Sequence, residues 1–334
     1  MNGLLGDFFG TFLRNRGAAV GLAVLALVGV AAATAGLLFP YSPWDMRGAP
    51  FMPPGEMEFL LGSDSLGRDV AAGIAYGARV SLLIGAVSTV VAVMLGITLG
   101  AVAGYAGGVV DDAIMRFTEF FQTVPSFMLA VVLVAIFSPS IGSIVAAIAI
   151  VSWPPVARVI RAEFLSLRSR EFVHAAEVLG RSRTAIVFRV ILPNALSLII
   201  VLASLMVASA ILLESGLSFL GLGDPNLISW GFMIGAGRSV IRIAWWMSVF
   251  PGIAIFLTVL ALNLVGEGLS DALNPRLARR RCAFWTSATS PSRCRRERSA
   301  RTRSRTSPSP SRPGRSCASW ARAARASRSR PARS

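Results

Sequence analysis

A chain of 334 residues with 54% hydrophobic residues, 15% charged residues and a mean hydropathy of +0.63 is too apolar for a soluble domain. Several of its runs approach the ~20 residues that span a bilayer. The formal net charge of +16 would suggest nucleic acid if it were spread evenly, but residues 1–280 hold 18 arginines against 16 acids, whereas residues 281–334 hold 15 arginines against Glu297 alone. The body is therefore an all-α polytopic membrane protein, the basicity belongs to the tail, and no nucleic-acid partner is expected.

All three cysteines (Cys282, Cys294, Cys317) lie in that tail, and His174 is the only histidine. The body has no material for a disulfide, a thiol nucleophile, a Cys or His metal cluster, or a His-based triad. The expectation is a chain that is not an enzyme and binds no metal or cofactor of its own. Lysine is absent throughout, which points to a GC-rich coding sequence because both lysine codons are A-rich.

Met1 to Arg16 reads as a short amphipathic start, and Gly17 to Pro40 as a first span that is not cleaved as a signal peptide. Arg14 and Arg16 before it place the N-terminus in the cytoplasm. Tyr41 to Ala78 is polar, rich in Pro and Gly, and reads as an external loop carrying Asp45, Glu56, Glu58, Asp64 and Asp69 against Arg47 and Arg68. Val80 to Gly104 is a second span. Val109 to Phe121 reads as an amphipathic helix with Asp111, Asp112, Arg116 and Glu119. Pro125 punctuates it, and Ser126 to Phe137 is the apolar part of a third span.

Ile141 to Ile160 is a fourth span that contains Pro154 and Pro155, tolerable where neighbouring helices satisfy the freed carbonyls. Seven arginines between Arg158 and Arg189 then put the following loop in the cytoplasm. A fifth span runs from about Asn194 to Leu217, a second external loop carries Asp224, Arg238 and Arg242, and a sixth span runs from Trp246 to Val265. Six helices with both termini inside is the simplest count.

The cytoplasmic loop contains the one polar segment long enough to organise these spans, Glu171 to Pro193. Phe172, Ala175, Ala176 and Leu179 fall at i, i+3, i+4 and i+7, which predicts a helix with one apolar face. Gly180 permits a turn, Ser182 can cap a second helix, and Pro193 fits the first turn of the fifth span. Periodicity alone leaves two readings open, an interfacial amphipathic linker or a docking element.

The spacing Ala175-Ala176, Gly180, Val190, Leu192-Pro193 resembles the EAA signature of permease subunits in bacterial ABC importers. His174 stands where that family usually has Glu, and Val190 where it usually has Ile. A second match, Leu61-Gly62-Ser63-Asp64, Gly67-Arg68-Asp69 and Gly77 to Leu82, resembles the pattern before the second span of dipeptide, oligopeptide and nickel-type permeases and marks the C-type subunit. Gly107 to Arg116, Glu214 to Gly223 and Trp245 to Pro275 extend the resemblance over residues 10–278.

The resemblance implies a division into residues 1–79 (first helix and external loop), 80–278 (permease transmembrane domain with a coupling loop at 161–193) and 279–334 (tail). It also implies a permease in the bacterial inner membrane that pairs with a B-type permease subunit, two cytoplasmic ABC ATPases that use ATP and Mg, and an external solute-binding protein. Glu171, His174, Ala175, Ala176, Gly180, Leu192 and Pro193 would couple to the ATPases, and the solute would be a peptide or a related small molecule. Competing readings are an ion-coupled secondary transporter or channel, which would place acids or histidines near the midplane, and a membrane scaffold.

Individual residues carry paired readings. His174 is a pH-sensing group, its unperturbed pKa lying near ~6.5, or an incidental surface histidine. Glu214 is a pathway acid, or a structural one at the external interface or bonded to a neighbouring helix. Gly62, Asp64, Gly67, Arg68 and Asp69 form the external-loop motif, in which Asp64, Arg68 and Asp69 with their alternating charges make a structural ion-pair network or a contact for a solute-binding protein. Trp245 and Trp246 read as interfacial anchors.

The tail is Arg, Ser, Ala and Pro without periodicity. It reads as disordered, as a polybasic arm, or as the product of a frameshift. If the third base of each codon from Thr302 to Arg328 is joined to the first two of the next, the code permits a string that ends G-E-S-G-S-G-K-S, a P-loop. Its first Gly is forced by Trp320 followed by Ala321. The expectation is a shift out of frame into a neighbouring ATPase gene.

Overall fold

The computed structural model describes Phe12, residues 14–56 and residues 59–273. Most of the N-terminal start, Glu58 and the tail at 279–334 lie outside the described residues. Those described are helical, with two isolated bridges (Met46 to Arg68, Ser63 to Asp69) and no strand among them.

Helix α1 (Arg16–Leu38) is capped by Asn15, whose side chain accepts from Gly17 N at 3.1 Å. Helix α2 (Val70–Ala106) has 37 residues and begins ten positions earlier than the sequence reading placed the second span. Asp69 is the reason. Its carboxylate accepts from Ala71 N at 2.8 Å, the N-cap geometry that satisfies a free first-turn donor. The small residues that made 70–78 look like loop (Ala71, Ala72, Gly73, Ala75, Gly77, Ala78) are buried helix face. At about 1.5 Å per residue the helix is ~55 Å long, well beyond the hydrocarbon core.

Helices α3 (Gly108–Thr123) and α4 (Ser126–Phe137) meet at an 83° bend around Val124 and Pro125. Helix α5 (Ile141–Arg168) opens with a capping box between Ser140 and Ser143 and runs through Pro154 and Pro155. The short α6 (Glu171–Val178) and α7 (Arg183–Ile186) come next. A π-helical turn at Val187–Ile191 carries α7 straight into α8 (Leu192–Leu217), and a second such turn occupies Ser218–Leu222. Beyond it lie α9 (Trp230–Gly237), inside the stretch that reads as a plain loop from sequence, and α10 (Trp246–Leu273).

Five of these elements are long and apolar enough to cross a membrane, and the bent pair α3 and α4 makes six. Packing requires the sixth. Along α2, Gly96 meets Val156, Gly100 meets Ala157 and Ile160, and Gly104 meets Arg161 and Phe164, so α2 and α5 run parallel. Two parallel helices in succession need a return crossing between them, which only α3 and α4 can supply. Asn15 also donates to Asp271 at 3.3 Å, so both ends of the bundle lie on one face, as an even number of crossings demands.

The glycines at four-residue spacing let α2 and α5 approach closely: a methyl at Gly100 would stand 2.5 Å from the Ala157 carbonyl oxygen. Arg161 of α5 forms a bidentate pair with the buried Asp111 of α3, and its second amino group lies 2.6 Å from Asp111 Oδ2. Arg158 Nη1 donates to Gln122 at 2.5 Å near the other end of α3. The amphipathic helix is thus held against α5 at both ends.

Candidate coupling segment and outer loop

Helix α6 lies on the face of the bundle that holds the ends of α1 and α10. The apolar face expected there was Phe172, Ala175, Ala176 and Leu179, and the structure corrects it. Val173 and Ala176 are the buried pair, seated in a core with Phe164 and Leu167 of α5 and with Ile186 and Ile191. Phe172, Ala175 and Leu179 stay exposed. The turn on each side of an eight-residue helix sets its rotation, and periodicity does not.

Burying a side chain the size of Val173 contributes about 1.5–3 kcal/mol, enough to root so short a helix. Val178 and Leu179 remain 88% and 79% exposed at its tip. Gly180 ends the helix at φ +72°, a left-handed conformation that costs glycine little. Arg181 N then closes on Ala176 O at 3.2 Å.

Ser182 caps α7 through Ala185 N at 3.4 Å, as the sequence predicts. Pro193 falls in the first turn of α8, but the span does not start there. Helix α7, the π-helical turn and α8 continue unbroken from Arg183, so Leu192 and Pro193 belong to the span, apart from the tip of α6. Glu171 opens α6 near its positive end, and His174 Nδ1 lies 3.3 Å from Glu177 Oε2, both side chains well exposed.

The loop at 41–69 lies on the opposite face. Gly62 and Gly67 have φ of +83° and +75°. Among the described residues, Asp64, Arg68 and Asp69 do not pair with one another as the ion-paired reading supposed. Asp64 Oδ1 accepts from Leu66 N at 2.8 Å and Arg68 N at 2.9 Å, the Asx-turn chemistry of a carboxylate beside its own backbone. Arg68 stacks over Trp44 at 4.6 Å, and Asp69 caps α2 while accepting from Tyr41 Oη at 2.8 Å. Burial, then that bond to Asp69, pushes the Tyr41 phenol above its usual range.

Ser63, a motif residue to which the sequence assigns no role, is fully buried, donates to Ala49 O at 2.7 Å and accepts from Met52 N at 2.8 Å. Trp246 is not a lipid anchor. It is buried, and its indole donates to Ser63 O at 3.1 Å, whereas Trp245 stays half exposed. A buried indole with a fixed carbonyl partner stitches α10 to the 41–69 loop.

Glu214 is fully buried near the end of α8. Ser218 Oγ donates to it at 2.8 Å, and Ser215 Oγ and Ser81 Oγ at 3.4 Å each. The bond to Ser81 joins α8 to α2, as the reading of Glu214 as an acid bonded to a neighbouring helix expects.

An all-helical body with five candidate crossings, six with the bent pair, is that of a polytopic membrane protein. Residues 96–279 match the family described as binding-protein-dependent transport system inner membrane component, and residues 3–54 match the N-terminal TM domain of oligopeptide transport permease C. The chain is 41% identical over 280 residues to the di/tripeptide transport system permease protein DppC of Pseudomonas aeruginosa (strain UCBPP-PA14), covering 82% of this chain and 92% of that protein. It is 38% identical over 270 residues to the oligopeptide transport system permease protein OppC of Haemophilus influenzae, covering 79% and 86%. It is 40% identical over 274 residues to the glutathione transport system permease protein GsiD of Pectobacterium atrosepticum, covering 81% and 91%. The chain belongs to the binding-protein-dependent inner membrane permease family as a C-type subunit, and it is the permease component of an ABC importer, not a catalytic enzyme.

Proposed function

We propose that this subunit carries peptides, or a closely related small solute, across the inner membrane together with a B-type permease subunit. An external binding protein delivers the solute, and two cytoplasmic ATPases, which hold the ATP and Mg, drive the cycle. Both termini and α6 face the cytoplasm, while the 41–69 loop and α9 face outward. Relatives named for di/tripeptide, oligopeptide and glutathione transport support the solute class.

One observation carries the coupling role. Val178 and Leu179 project from a helix whose other side, Val173 and Ala176, is rooted in the core shared by α5 and α8. A partner that covers the tip gains apolar burial worth about 1.5–3 kcal/mol per large side chain. Because α6 cannot move without α5, a shift of the ATPases becomes a shift of α5 and, through the glycine stripe, of α2. Glu171, His174, Ala175 and Gly180 border that tip. For the cycle to turn, the ATPases must bind the two states of the permease with different affinity.

The test compares Gly180→Asp and Leu179→Asp in the assembled transporter, measuring uptake of a labelled tripeptide and ATP hydrolysis in proteoliposomes. Each variant should lower ATP-dependent uptake by roughly tenfold or more, the effect of about 1.4 kcal/mol of lost docking. Normal uptake in both would refute coupling through α6. We further propose that residues 279–334 are an out-of-frame extension, a reading supported by a family match that stops at residue 279.

A further inference from the structure

Coupling leaves the buried acid at Glu214 without a task. It sits where the fifth span stops being regular, just before the π-helical turn at 218–222, in which Gly221 takes φ +86°. Such turns often mark functional sites. Its carboxylate accepts from Ser218 on that turn, from Ser215 beside it and from Ser81 on α2. Ser81 Oγ in turn accepts the backbone N–H of Trp230, the first residue of α9, at 3.2 Å. The Ser229 hydroxyl, which caps α9 at Phe232 N, faces the same carboxyl. No basic side chain is among the partners of Glu214 in the described residues, so one carboxyl joins α2, the end of α8 and α9 through hydroxyls alone.

Helix α9 is shaped to lie against this net. Gly231 brings its backbone against Ser215 and Ser218, Gly235 lies against Ser218 O and Phe219, and Gly237 against Met247 and Ser248 of α10. Ile234 points into the core of Ala78, Ile211, Trp230 and Ile255. Trp230 and Ile234 of α9 enter that core and Met233 packs on a second one, while its three glycines let the backbone close on the polar net, so apolar contacts and the net seat the helix together. Buried polar networks stand or fall together, because losing one acceptor strands several donors.

We propose that α9 is a movable gate at the end of the bundle opposite α6, and that Glu214 is the positioning residue that latches it against α2 and α8. This rests on the importer reading, in which that end opens and closes in each cycle.

The body contains no cysteine, so replacing Cys282, Cys294 and Cys317 by Ser makes a clean background for a single cysteine at Ile234. Its reaction rate with a small maleimide is measured in the assembled transporter in vesicles, without nucleotide and with Mg-ATP and vanadate. The latch predicts slow labelling in the parent. Labelling should be roughly tenfold faster in Glu214→Ala and in Ser81→Ala, which open the site locally, and near the parent rate in Glu214→Gln, whose amide oxygen still accepts from Ser218. It also predicts that trapping with Mg-ATP and vanadate changes the parent rate several-fold.

Unchanged labelling in Glu214→Ala, or Glu214→Gln behaving like Glu214→Ala, overturns the latch. A rate indifferent to nucleotide in a preparation that hydrolyses ATP overturns the gate. A preparation without any ATP hydrolysis refutes the importer reading instead and leaves the comparison among the Glu214 variants standing.

Discussion

Asp111 shows how a single residue can hold an architecture together. It is buried in the first turn of α3 and paired through both oxygens with Arg161, itself one third exposed. Replacing it by Asn keeps the shape and removes the charge, which should cost about 1–3 kcal/mol, the usual loss when a hydrogen-bonded charge is left without its partner. A lower midpoint of thermal inactivation in detergent, with α6 intact, would record it, and an unchanged midpoint would show that the pair contributes nothing. Asp111 was legible as part of a polar helix face, but its partner, 50 residues away, was not. Asp64, Arg68 and Asp69 teach the same lesson: their sign alternation suggested ion pairs, yet backbone N–H groups, a ring and a phenol are their partners.

Among the elements, the contact of α2 with α5 is the most extensive, and Gly96, Gly100 and Gly104 leave no space there for side chains. Gly100→Val should destabilise the bundle by about 1–3 kcal/mol through overpacking, and it should lower the yield of folded permease in a detergent-stability assay. Gly29, which meets nothing within 4 Å, is the control, and its change to Ala should leave that yield as it was. The segment from Glu171 to Ile186 was readable as helix, glycine turn and capped continuation. Its buried face was not, since Val173 in place of Phe172 reflects how the flanking turns rotate eight residues. Helix α9 was unreadable because eight apolar, glycine-rich residues between two loops carry no helical period.

For the whole molecule, matching loops on one face and a projecting helix on the other fit a machine driven from one side and loaded from the other. If the tail is out of frame, the nucleotide sequence beyond the codon for residue 278 will contain, one frame away, an open P-loop reading G-E-S-G-S-G-K-S. Absence of that frame would end the proposal. The class of protein and nearly all its spans could be read from the chain, because length and hydropathy are local quantities and a bilayer imposes its thickness on them directly. The motif spacing picked out the segment that holds α6 and α7 for the same reason, as short-range chemistry along one stretch. The early start of α2, the return crossing made by the bent pair, the rotation of α6, the seat of α9 and the partners of Glu214 were settled in space. Each depends on residues far apart in the chain meeting at a few ångströms, and no window along the sequence contains both halves of such a contact.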